Sequence, residues 1–143
     1  MELEPWGRPA RGLREHVRQV AAALGCTGDA FWVQTEEPVS AYLPVEQRFY
    51  GFPGRDAALL WDARHGWAAA VEDSCADNSP VGNPLVVAYL GELLPDPDEV
   101  AAFVGDLVAG RPTGRTDPPR AAPPPDLLRV GLAALAPALA GTA

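Results

Sequence analysis

Apolar residues fall into two helical stripes with short runs of strand character between them. Leu13, Val17, Val20, Ala21 and Leu24 recur at i, i+4, i+7, i+8 and i+11, one face of a helix over roughly residues 10–24. Arg14, Glu15 and Arg18 take the opposite side, and Gly25 follows where the chain can turn left-handed. Val100, Phe103, Val104, Leu107 and Val108 repeat the pattern further on. There Asp96 stands at the N-cap and Pro97 at the first helical position, with Asp98 and Glu99 in the first turn against the positive end of the helix dipole. Glu99 also falls at the spacing of a capping box, and Gly110 and Pro112 stop the helix.

Between these helices Phe31–Thr35, Val39–Val45, Ala57–Asp62, Trp67–Asp73 and Leu85–Leu90 have strand character, separated by clusters of Pro, Gly, Asn and acids. Sequential strands with short connections imply an antiparallel meander. The tightest connection is Ala63-Arg64-His65-Gly66, where Gly66 can supply the left-handed residue of a short hairpin loop. The expected fold is α+β: a four- or five-stranded meander with an N-terminal and a C-terminal helix on one face, in the order α-β-β-β-β(-β)-α.

Residues 1–110 are expected to hold this domain. From Arg111 to Pro125 six of fifteen residues are proline, which favours an extended, semi-rigid linker. Residues 126–143 then form a short apolar helix or tail, with Asp126 as cap and Leu128, Leu132, Leu135 and Leu139 on one face, broken by Pro137. At about 3.1 Å per residue the linker reaches roughly 45 Å, so the tail can pack on its own domain or on a neighbour.

The 143 residues suffice for one domain and one core. All 11 basic residues are arginine and isoleucine is absent, a bias typical of a GC-rich coding sequence and thus weak evidence for phosphate binding. The net charge of −8 is uneven: residues 29–106 carry three Arg against fourteen acids. Such a field repels phosphate backbones and anionic lipid and accommodates a basic partner, so neither direct nucleic-acid nor membrane binding is expected. The acidic N-terminus lacks a signal peptide's pattern, no apolar run reaches membrane-spanning length, and Cys26 and Cys75 form no disulfide framework, so a cytoplasmic protein is expected.

The hairpin Leu59-Leu60-Trp61-Asp62-Ala63-Arg64-His65-Gly66-Trp67, followed by Ala70-Val71-Glu72, Val87-Ala88-Tyr89-Leu90-Gly91 and the Pro-Asp-Pro helix start, resembles a family of small actinobacterial domains of unknown function marked by a W-D-x-R-H-G-W hairpin. The resemblance covers approximately residues 10–110 and implies a bacterial cytosolic domain of the arrangement above, with no activity, cofactor or catalytic residue to carry over. The chain departs from the family in the longer inserts Arg48 to Arg55 and Ser74 to Asn83, and in its tail.

Chemistry-bearing groups are sparse. Asp62, His65 and Glu72 are the only candidates for general acid/base work, and turn chemistry explains the first two without catalysis. Cys26, Cys75, His16 and His65 show no paired metal-ligand spacing, and the loop Glu72-Asp73 to Asp77-Asn78 lacks calcium-loop geometry, so neither a metal nor a cofactor is expected. Trp32, Tyr42, Trp61, Trp67 and Tyr89 lie in the strands, and Phe49, Tyr50 and Phe52 crowd the first insert. Because Leu60 and Trp61 are adjacent they must point to opposite faces of the sheet, leaving large apolar surface on the second one.

The leading expectation is therefore a non-enzymatic interaction module that binds a protein partner or itself through Trp61, Trp67, Tyr89 and the Phe49–Tyr50–Phe52 insert. An alternative class is a small enzyme or ligand binder for a hydrophobic metabolite, which can also carry positive charge, with Asp62, Arg64 and His65 as the polar groups. A third is an acidic mimic that inhibits a basic protein.

Overall fold

A computed structural model describes residues 2–26, 31–72, 84–119 and 123–137. The first helix, α1 (Arg8–Ala23), begins earlier than its apolar stripe because Pro9 presets the helical φ in its first turn. Five strands follow: β1 (Trp32–Gln34), β2 (Ser40–Val45), β3 (Ala57–Asp62), β4 (Gly66–Glu72) and β5 (Pro84–Tyr89). They form one antiparallel sheet in the order β1-β2-β3-β4-β5, the meander expected of short connections. Two more helices close the chain, α2 (Pro97–Ala109) and α3 (Pro125–Ala134). The Asp96 carboxylate caps α2 by accepting the Asp98 N–H at 3.1 Å.

One side of the sheet makes the core. Ala41, Leu43 and Val45 of β2, Leu59 and Trp61 of β3, and Trp67, Ala69 and Val71 of β4 alternate inward, where they meet Leu13, Val17 and Val20 of α1 and Val100, Phe103 and Val104 of α2. These side chains are buried from water and supply the main driving force of the fold. Beneath the helices, Trp61 and Trp67 are direct cross-strand partners.

Each indole finds an acceptor. Trp67 donates its Nε1–H to His16 Nε2 at 3.0 Å, tying α1 to the sheet, and Trp61 donates to the Leu93 carbonyl at 2.6 Å, tying down the segment that leads from β5 to α2. That segment lies so close that a Cβ on Gly66 would collide with the Glu92 carbonyl, and Gly66 has a φ of 74°. Only glycine meets both conditions at this position.

The proline-rich stretch bends at Gly114, Thr116 and Asp117, and between these Arg115 pairs with the outer edge of β5, exchanging backbone hydrogen bonds with Tyr89 at 2.7 and 2.8 Å. The C-terminal helix packs on its own domain: Leu128 and Leu132 of α3 join the core cluster and the helix lies against α1. The helices meet at Gly12, where a Cβ would strike the Leu132 carbonyl oxygen. Pro124, not Asp126, occupies the α3 N-cap, and Asp126 pairs instead with Arg129 one turn on at 3.2 Å. Leu139 lies outside the described residues.

Two predictions follow the packing. His16 is 2% exposed, and desolvation lowers its pKa from 6.5 to about 4. Below pH 6.5 the unfolded chain takes up a proton that the folded chain refuses, so stability falls as pH falls from 6.5 toward 4. A loss of about 2 kcal/mol between pH 7 and pH 5 is expected in urea titrations, and His16→Gln, which keeps an acceptor for Trp67, should remove that part of the slope. The second prediction concerns Gly12→Ala, which on helix propensity alone would stabilise α1 by about 1 kcal/mol. It should instead lower the melting temperature and speed amide exchange at Leu128 and Leu132, because α3 must move off α1. A higher melting temperature would exclude this packing.

Candidate functional site

The side of the sheet away from the core carries a continuous transverse row. Trp32 of β1 pairs with Tyr42 of β2, Tyr42 with Leu60 of β3, Leu60 with Ala68 of β4, and Ala68 with Tyr89 of β5. Beside it runs a polar row in which Gln34 pairs with Ser40, Ser40 with Asp62 and Asp62 with Gly66. Cross-strand partners on one face lie close enough for their side chains to touch. The Trp32 and Tyr42 rings indeed sit 5.9 Å apart at 43°, and His65 and Tyr89 face each other at 6.0 Å toward the β5 edge of the sheet.

Where β1, β2 and β3 meet, these rows line an open groove of about 620 Å³ whose walls include Trp32, Gln34, Ser40, Tyr42, Leu60 and Asp62. Trp32 is 75% exposed, an uncommon position for so large an apolar surface. Its neighbours to the centre of the sheet are Leu60 and a run of alanines, so the middle of the face is low and the aromatic pairs stand at its flanks.

Asp62 is rigidly held. Its Oδ1 accepts the N–H groups of Arg64 at 2.8 Å and His65 at 2.6 Å, and its Oδ2 lies 3.1 Å from His65 Nδ1. This is the turn role expected of an Asp in W-D-x-R-H-G-W, with Arg64 exposed at the tip. The acid/base trio is not assembled: Glu72 ends β4 six residues beyond Gly66, about 20 Å along the strand. Ser40 sits across from Asp62 on β2 while the His65 ring turns toward Tyr89 of β5, so the carboxylate lies between the Ser40 hydroxyl and the imidazole. Glu72 and Asp56 act instead on Tyr42, whose phenol pKa is raised by burial first and then by these two charges.

The structure corrects the expected contact surface. Trp61 and Trp67 are 1% and 0% exposed, so they hold the core together and offer nothing to a partner in the folded domain. Phe49 is buried and Phe52 half-buried, while Tyr50 stands out from the insert with its ring on Gly110 and its N–H bonded to the Leu107 carbonyl at 2.9 Å. Tyr89 alone of the strand aromatics named as contacts remains on the outer face. Trp32 and Leu60 complete the face. Alternation in β2, where Ala41, Leu43 and Val45 point inward, was the signal that sends Tyr42, and hence its partner Trp32, outward.

Among the described residues no group of three His, Cys, Asp or Glu side chains could hold a metal ion, and Cys75, with the rest of residues 73–83, lies outside them. Burial and then the Glu46 charge push the Cys26 thiol up, away from a reactive thiolate. No helix among the described residues is long and apolar enough to cross a membrane.

Compared with known proteins, residues 16–106 match the model of a family of unknown function, DUF6292, and the chain belongs to that family. Neither the curated proteins nor the solved structures contain a match. The matched span includes His16, both core tryptophans and the entire Trp32–Tyr89 row, whereas α3 and Gly12 fall outside it.

The two sets of tryptophans should separate cleanly by mutation. Trp61→Ala is expected to destabilise the fold by about 3–5 kcal/mol through cavity formation. Trp32→Ala should change unfolding free energy by less than about 0.5 kcal/mol, as for other exposed positions. Urea denaturation of both variants decides whether Trp32 is free of a packing role.

Proposed function

We propose that this domain is a non-enzymatic interaction module of the actinobacterial cytoplasm that binds a protein partner through the outer face of its sheet. The observation that carries the reading is the open groove at the β1–β3 end of the outer face, walled by Trp32, Tyr42, Leu60 and Asp62, with Trp32 75% exposed at its rim. Exposed apolar surface of this kind marks interaction sites, and tryptophan and tyrosine are the side chains that most often dominate binding.

The openness of the groove favours a protein over a small metabolite. Small-molecule sites enclose most of their ligand, whereas this groove is a broad depression on a sheet. The one acid that lines it, Asp62, with no basic residue beside it, favours a partner whose contact surface is basic.

A photo-crosslinking amino acid placed at position 32 tests the reading in the host cell. A discrete covalent adduct is expected at position 32 and not at Gln19, on the solvent side of α1. Equal labelling at both positions, or none at 32, would remove the outer face from consideration.

A further inference from the structure

We propose that Trp32, Tyr42 and Asp62 form a seat for an arginine side chain of the partner protein. The inference rests on the reading of the outer face as a docking surface and names what that surface recognises.

Charge composition is the first argument. The groove is lined by one ionisable acid, Asp62, and by no basic residue. Asp62 is held by three contacts from its own turn, so its charge stays at one place beside the row. Tyr42 and Asp62 are diagonal neighbours across β2 and β3, a relation that puts their Cα atoms about 7–8 Å apart. A group lying on the Tyr42 ring is therefore within the field of the Asp62 carboxylate.

Shape is the second argument. The Trp32 ring leans against Tyr42 at 43° and yet leaves three quarters of the residue in water, so a broad indole surface faces the groove mouth. A guanidinium is planar, weakly hydrated and stacks on aromatic faces, whereas an ammonium keeps its water more tightly. A purely apolar occupant would strip water from Asp62 and return no partner for its charge. An anion would be repelled by Asp62.

The test uses the full chain and the indole N–H nuclear magnetic resonance signal of Trp32, assigned by its loss in Trp32→Phe. N-acetyl-arginine methylamide is titrated beside its citrulline counterpart, a neutral isostere, and its norleucine counterpart, which keeps only the apolar stem. A saturable shift with arginine is expected, about tenfold tighter than with citrulline and weaker as salt is raised. Asp62→Asn should weaken arginine several-fold while leaving the fold intact, since the asparagine oxygen still accepts the Arg64 and His65 N–H groups. Equal shifts with arginine and citrulline, or no effect of Asp62→Asn, would overturn the proposal. If norleucine alone moves Trp32, the occupant is apolar: the arginine seat is then wrong while the docking face survives. If none of the three moves Trp32 and no adduct forms at position 32, both readings fall together.

Discussion

Two buried indole N–H groups organise this domain. An indole carries a donor that must be satisfied once water is excluded, and leaving it unpaired costs about 1–3 kcal/mol. Trp67 solves this with His16 and thereby fixes where α1 crosses the sheet. Trp61 solves it with the Leu93 carbonyl and thereby fixes the path from β5 into α2. The remaining letters of the hairpin serve the same end: Asp62 shapes the turn that keeps the two tryptophans paired, and Gly66 lets the Glu92–Leu93 segment approach closely enough to accept from Trp61. The W-D-x-R-H-G-W run is therefore a packing device, and its histidine and aspartate are turn residues first.

That device explains which features were legible in the sequence. Helix stripes, caps and turn glycines act locally, so α1, α2 and the order and spacing of the strands could be read from residue spacing alone. The faces of β3 and β4 could not. Ala57 through Trp61 and Trp67 through Val71 are apolar at every position, and alternation carries no information when both parities are apolar. The candidate contact surface was accordingly placed on Trp61 and Trp67, and the tertiary bonds to His16 and Leu93 put both inside. Only β2, with its clear inward Ala41, Leu43 and Val45, fixes the parity, and pairing then transmits it across the sheet. The seating of α3 was illegible for a different reason: it depends on Gly12 leaving room for a helix more than a hundred residues away, and nothing local marks a glycine as a crossing point.

Separation of the faces also separates structure from recognition. Every residue of the outer row except Trp32 has a core residue on at least one side along its strand: Tyr42 lies between Ala41 and Leu43, and Leu60 between Leu59 and Trp61. The row is thus held by the packing of the opposite face, and its side chains project from backbone that cannot shift without opening the core. A partner docking on this face, as proposed, would meet a surface with little backbone entropy left to lose, which leaves more of each contact's free energy for affinity. Trp32 is the exception, on a strand of three residues at the sheet edge, and it is steadied by its ring contact with Tyr42. The most exposed member of the row is consequently also the one whose rotamer a partner can still select, while the charge beside it, Asp62, is fixed by the turn that the core requires.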